Sequence, residues 1–127
     1  MKRIVLTCLA FVLIPAVAGA RYALQTRAPK GTLRHTVAFN FKSDVPQDAI
    51  DKILAETRAT LPTIKGAANI IVGSQTSNWT KYKYGISIDF VNSEAKEAYA
   101  TSPQSKKLHE QYKPFTEDEV VVDIVSE

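Results

Sequence analysis

At 127 residues, 45% of them hydrophobic and 23% charged, the chain holds one small soluble domain's worth of sequence, which rules out a multidomain reading. Sixteen Lys and Arg against thirteen Asp and Glu give a net charge of +3 and a pI near 9.0, but the excess is N-terminal: from His35 onward ten basic residues face thirteen acidic ones, a balance of −3. No basic stripe remains to follow a phosphate backbone, so no nucleic-acid partner is expected.

Residues 1–20 open with Lys2-Arg3, run through an apolar stretch from Ile4 to Val17 and close on Ala18-Gly19-Ala20. That is the pattern of a cleavable signal peptide, cut after Ala20, and it predicts a secreted or periplasmic protein. The apolar run is shorter than the roughly 20 residues that cross a bilayer and contains Pro15, so no stable membrane anchor is expected after cleavage. Cys8, the only cysteine, would leave with the leader, and the mature chain would have no disulfide and no thiolate ligand. Burial alone must then hold a small core, for which dimerisation is a common remedy.

Residues 21–32, with Pro29 and Gly31, read as a flexible N-terminal segment, and residues 33–127 as the folded domain. From Leu33 to Lys42 the residues His35, Val37, Phe39 and Phe41 alternate with polar or small ones, predicting a first strand. Ser43-Asp44 offers a cap and Pro46 a first turn for a helix to Thr60, with Ile50, Ile53, Leu54 and Leu61 on one side before Pro62. Ala68 to Val72, closed by Gly73, predicts a second strand, and Ser74 to Thr80 a loop. Lys81 to Phe90 alternates again, placing Tyr82, Tyr84, Ile86, Ile88 and Phe90 on one face. Asn92-Ser93 caps a helix to about Ala100 with Ala95, Ala98 and Tyr99 inward, Pro103 starts another to about Tyr112, and Val120 to Val125 makes the last strand.

The order is β-α-β-β-α-β, an α+β ferredoxin-like fold: a four-stranded antiparallel sheet with helices on one face. The opposite face would carry Thr36, Ala38, Asn40, Gly85, Ser87 and Asp89. It is too rich in small residues to be merely solvated, and a second copy packing there would make a homodimer through the sheet face.

The pattern His35-x-Val-x-Phe-x-Phe-Lys42, Leu61-Pro62-x-Ile64, the strand closing at Gly73, Tyr84 to Phe90, Glu94-Ala95 leading to Tyr99, Pro103 and Val122-Asp123-Ile124 resembles the stress-responsive dimeric α/β-barrel (Dabb) family over about His35 to Ile124. The resemblance implies two sheets pairing into a barrel, and roles from stress-associated proteins without assigned chemistry to a plant polyketide cyclase. The family often carries His-Pro-x-His after the helix that ends in the tyrosine, its last His being a cyclase's acid/base. Here the stretch is Ser102-Pro103-Gln104-Ser105. A serine hydroxyl does not titrate near neutrality, so the departure argues against cyclase-like catalysis.

The candidate ligand-binding residues are His35, Phe39, Tyr84, Ile86, Tyr99 and Leu108, with Tyr84 and Tyr99 converging on His35 to orient a small hydrophobic or aromatic ligand. His35 is also the candidate catalytic residue of an alternative reading as a cyclase, isomerase or cofactor-free oxygenase. His109 is expected on the exposed side of its helix. Asn78 and Trp79 could form a trio with His35 of the kind used by related barrels that oxidise aromatics or degrade haem. Asp89, Asp123, Asp118 and Glu119 suggest a carboxylate pair only superficially, the pairing of their strands being open. No metal site and no cofactor is expected.

Overall fold

The computed structural model describes residues 27–127. The signal peptide expected over residues 1–20, Cys8 within it, and residues 21–26 of the N-terminal segment lie outside the described residues. The chain runs β1 (Leu33–Phe41), α1 (Gln47–Thr60), β2 (Ala68–Ser74), β3 (Tyr84–Phe90), α2 (Ser93–Thr101), α3 (Pro103–Tyr112) and β4 (Thr116–Val125), with 3₁₀ turns at Leu61–Thr63 and Lys113–Phe115. This is the ferredoxin-like order with its second helix divided in two. Pro103 is the cause of the division: it disfavours helical backbone at the residue before it, and Ser102 sits extended at ψ 144°. The same Ser102 then caps α3, its Oγ accepting from the Ser105 N–H at 3.2 Å.

The strands form one antiparallel sheet in the order β2-β3-β1-β4. Register follows the alternation: Leu33 pairs with Phe90, His35 with Ile88, Val37 with Ile86 and Phe39 with Tyr84, so the apolar sets of the two central strands share one face. Onto it α1 lays Ile50 and Leu54, and α3 lays Leu108, all buried. Side chains covered this completely each contribute roughly 1.5–3 kcal/mol relative to exposure.

The three helices cover the centre of the sheet and leave its β4 edge bare. Along β4 nine of ten residues are exposed. Val120, Val122 and Ile124 oppose Ala38, Thr36 and Arg34, so they stand on the face away from the helices and remain open. That face, read from β1 and β3 as small and polar, is therefore partly apolar, because β4 supplies what its neighbours do not.

Five details differ from the sequence reading. α1 is capped by the extended Pro46 with no side-chain acceptor, since Lys42 O takes the Val45 N–H in a turn that leaves Ser43 and Asp44 too early to cap. β3 begins at Tyr84: Lys81–Lys83 belong to the preceding loop, where Asn40 Oδ1 accepts from the Lys83 N–H and Thr80 Oγ1 from the Tyr82 N–H. β4 begins four residues before Val120, its charged start pairing with Asn40 and Phe41 across a bulge where Asp118 adopts φ 44°. Ala98 faces solvent, not the core. The end of the N-terminal segment, read as flexible, is tied down: Gly31 N–H donates to Ser126 O at 2.8 Å and Ser126 N–H to Thr32 O at 2.9 Å.

Candidate functional site

Arg34 and His35 are neighbours on β1, so their side chains point to opposite faces of the sheet. Each meets an aspartate from an adjoining strand. On the far face Arg34 donates twice to Asp89, Nε at 2.7 Å and NH2 at 2.8 Å, and Asn69 Nδ2 adds a bond at 3.0 Å. Arg34 holds Asp89 below the ordinary carboxylate range against the opposing effect of burial, with Asn69 assisting. An open cleft of about 720 Å³ adjoins this group. Arg34, Asn69 and Asp89 on its wall are bonded to one another, which makes it the weaker candidate for a ligand.

On the helix face His35 stands directly opposite Asp123 of β4, and Nδ1 approaches Oδ1 at 2.6 Å. The other carboxylate oxygen lies 3.5 Å from the Lys96 ammonium of α2, which also reaches Glu97 at 3.4 Å. Burial pulls Lys96 down, but Glu97 and Asp123 outweigh it and hold the ammonium above its ordinary range. Burial likewise opposes ionisation of Asp123, yet His35 and Lys96 keep it below its ordinary range. With an ionised acceptor at Oδ1, His35 Nδ1 is the donor, and the tautomer leaves Nε2 for another partner.

His35 and Lys96 line a cavity of about 360 Å³ between the sheet and α2–α3. Val37, Ile86, Ile88 and Val121 contribute from the sheet, Leu61 and Leu108 from the helical side, and Tyr99, Ser105, His109 and Tyr112 add polar groups. The size suits a small-molecule site, an apolar floor ringed by polar and charged side chains, with Lys106, Glu110 and Glu119 also on the wall. Tyr99 packs its ring against Phe90 at 5.0 Å. Burial raises its phenol, the Ser105 hydroxyl opposing, so Tyr99 remains a donor at neutral pH. Burial, reinforced by Glu119, raises Tyr112 as well.

Of the six residues read as a ligand site, the cavity gathers His35, Ile86, Tyr99 and Leu108. Phe39 and Tyr84 are elsewhere on the same face, in an aromatic cluster with Phe41, their ring centroids 5.0–6.1 Å apart. Tyr84 pairs with Phe39, four residues along β1 from His35 and hence roughly 13 Å away along the strand. Face parity was legible, but distance along the strand depended on the register. Trp79 is 94% exposed on the loop before β3, at the end of the sheet remote from His35, so Asn78, Trp79 and His35 do not assemble. Asp89 and Asp123 stand on opposite faces and form no carboxylate pair.

His109, read as exposed, lies on the cavity wall with Nδ1 2.9 Å from the Tyr112 hydroxyl. Ser105, Leu108, His109 and Tyr112 fall at i, i+3, i+4 and i+7, so one stripe of α3 faces the cavity, and that spacing was available in the sequence. Lys96 and Asp123 are the members the sequence reading missed. Lys96 precedes Tyr99 by three positions on the same helix, a signal for Lys96, whereas Asp123 needed the β1–β4 register.

A sequence profile of the stress responsive A/B barrel domain, Dabb, matches residues 33–126. The chain belongs to this family. Solved structures share its fold. A Dabb protein from Mesorhizobium loti with a ferredoxin-like fold is 24% identical, over 77% of this chain and 99% of its own, at a TM-score of 0.71. A dimeric ferredoxin-like protein of unknown function from Bacteroides fragilis is 20% identical over 76% and 97%, at 0.64. A hydroxynitrile lyase from Passiflora edulis is 18% identical over 78% and 96%, at 0.70. No curated protein matches the chain.

Proposed function

We propose that this Dabb chain is an exported homodimer that holds a small hydrophobic or aromatic ligand between its sheet and helices, without catalysis. The cavity carries the reading: an apolar floor beneath a histidine whose Nδ1 is fixed by Asp123. Residues 1–20 support export through the basic start, apolar run and small-residue end. Val120, Val122 and Ile124, uncovered on the far face, support the dimer, as does the dimeric state of the Bacteroides fragilis relative.

Titration with the neutral dye N-phenyl-1-naphthylamine tests the cavity: saturable fluorescence enhancement is expected, lost when Val121→Trp fills the space with the fold retained. No saturable binding sinks the proposal. Sedimentation at micromolar protein should give dimers, and Val122→Glu should weaken them at least tenfold.

The fixed imidazole favours a second reading, an enzyme using His35 Nε2 as a proton acceptor. The two readings part at His35→Gln. In an enzyme this substitution removes turnover of whatever native mass spectrometry finds bound, whereas in a binding protein the bound molecule stays chemically unchanged in either form.

A further inference from the structure

We propose that Trp79 anchors the homodimer, its indole lodging in the open cleft beside Arg34 of a second copy of this chain, while the second copy's indole lodges in this one. The inference rests on the homodimer read above and adds which surfaces meet: each cleft is complete only with the other chain's tryptophan.

Trp79 is the chain's only tryptophan and stands 94% exposed, a rare position for so large a ring in a lone chain and a common residue type at the centre of an interface. Its loop is not slack. Asn40, which faces away from the helices like Ala38, Thr36 and Arg34, accepts from the Lys83 N–H at 2.9 Å and donates to Lys81 O at 3.3 Å. Lys81 Nζ reaches Asp118 at 2.8 Å, and the Trp79 N–H donates to Ser77 Oγ at 3.1 Å. These bonds fasten the loop to the side of the sheet that bears Val120, Val122 and Ile124. The indole is thus presented at one end of the dimer face, with little ordering left to be done on binding.

The opposite end of that face holds the cleft of about 720 Å³. Pro29, Ala68, Phe90, Val91 and Ile124 make its wall mostly apolar, and the chain itself leaves Val91 and Ile124 exposed. Arg34 stands beside them, its side chain more than half exposed although bonded twice to Asp89, and a guanidinium held in this way is a stacking partner for an indole. Asn40 and Arg34 are six residues apart on β1, roughly 20 Å. A two-fold axis across the strands, midway between them, brings each tryptophan to the other copy's cleft, whereas an axis along the strands sets tryptophan against tryptophan and leaves both clefts empty. Between the two ends the face is low. Gly73, Gly85 and Ala38 stand side by side across three strands. A Cβ at Gly73 would meet nothing within 4 Å, and one at Gly85 only Val37 O at 3.5 Å, so the chain's own packing does not call for glycine at either position. Their bareness lets a second sheet come close.

With a single tryptophan in the chain, its fluorescence tests the assignment directly. As protein is raised through the concentrations at which sedimentation shows dimers, the emission should move to the blue and its quenching by acrylamide should fall at least twofold. Trp79→Ala and, on the cleft wall, Ile124→Glu should each weaken the dimer at least tenfold. The doubly substituted chain should be little weaker than either alone, since both changes remove the same contact. Val91→Glu takes the place of Ile124→Glu if that variant does not fold. Dimers in which the tryptophan emits and quenches as in the dilute chain, dimers of Trp79→Ala as tight as the parent's, or losses that multiply in the double variant overturn the inference and leave the homodimer standing. Absence of dimers at every concentration overturns both.

Discussion

Two carboxylate pairs, built on consecutive residues of one strand, have opposite outcomes. Arg34 spends two of its five donors on Asp89, Asn69 takes a further place on that carboxylate, and both oxygens of the buried Asp89 are thereby paired. His35 spends one nitrogen on Asp123, Lys96 shares the second oxygen, and a ring nitrogen and an ammonium proton are left over beside a cavity. Saturation separates a brace from a site. A group that has met all its hydrogen bonds inside the fold has little to offer a ligand, while an oriented but unfinished one has a partner's place open.

The comparison predicts unequal costs. Arg34→Met leaves the buried Asp89 carboxylate with only Asn69, and the loss should be the largest, about 2–3 kcal/mol by urea denaturation at fixed protein concentration. A loss under about 0.5 kcal/mol would show that Asp89 is not braced as described. Acid should act next. Asp89 and Asp123 are both held below the ordinary carboxylate range in the folded chain, so their contribution is complete above the unfolded value of about 3.9 and is lost as pH falls through the folded values. Asp89→Asn should flatten the stability profile below about pH 4 more than Asp123→Asn does, and the reverse order would remove the distinction between brace and site.

His35→Gln should be milder. Its side chain can still reach toward Asp123, and the expected loss is about 1 kcal/mol or less on the same urea scale. A larger loss would move His35 into the class of Arg34. Trp79→Ala should change the stability of the dilute, undimerised chain by under about 0.5 kcal/mol, since the indole is 94% exposed there and packs on nothing that either pair depends on. A measurable fall in ligand affinity in that variant would mean the loop reaches the cavity after all.

How far the sequence could be read differs between strands and helices. The alternation in β1 and β3 fixed which side chains share a face, and His35 stands on the helix side as that parity required. Parity has a period of two and says nothing about displacement along a strand, so Tyr84 was read as close to His35 when the register puts it beside Phe39. On α3 the four cavity residues were legible at helical spacing. His109 was nonetheless assigned to the exposed side by its charged neighbours Lys106 and Glu110, both of which also border the cavity.

The sequence by itself determined the element order, the faces of the two central strands, the Asn92 cap, whose Oδ1 accepts from the Ala95 N–H at 2.8 Å, and the helical break at Pro103. These depend on residues a few positions apart, through side-chain alternation, local hydrogen bonding and the missing proline N–H. Only the tertiary structure decided that Asp123 would meet His35 across 88 residues and that Lys96 would close over them. Contacts of that separation are set by which strand lies next to which and by how far one slides along the other, and packing of the whole core selects both.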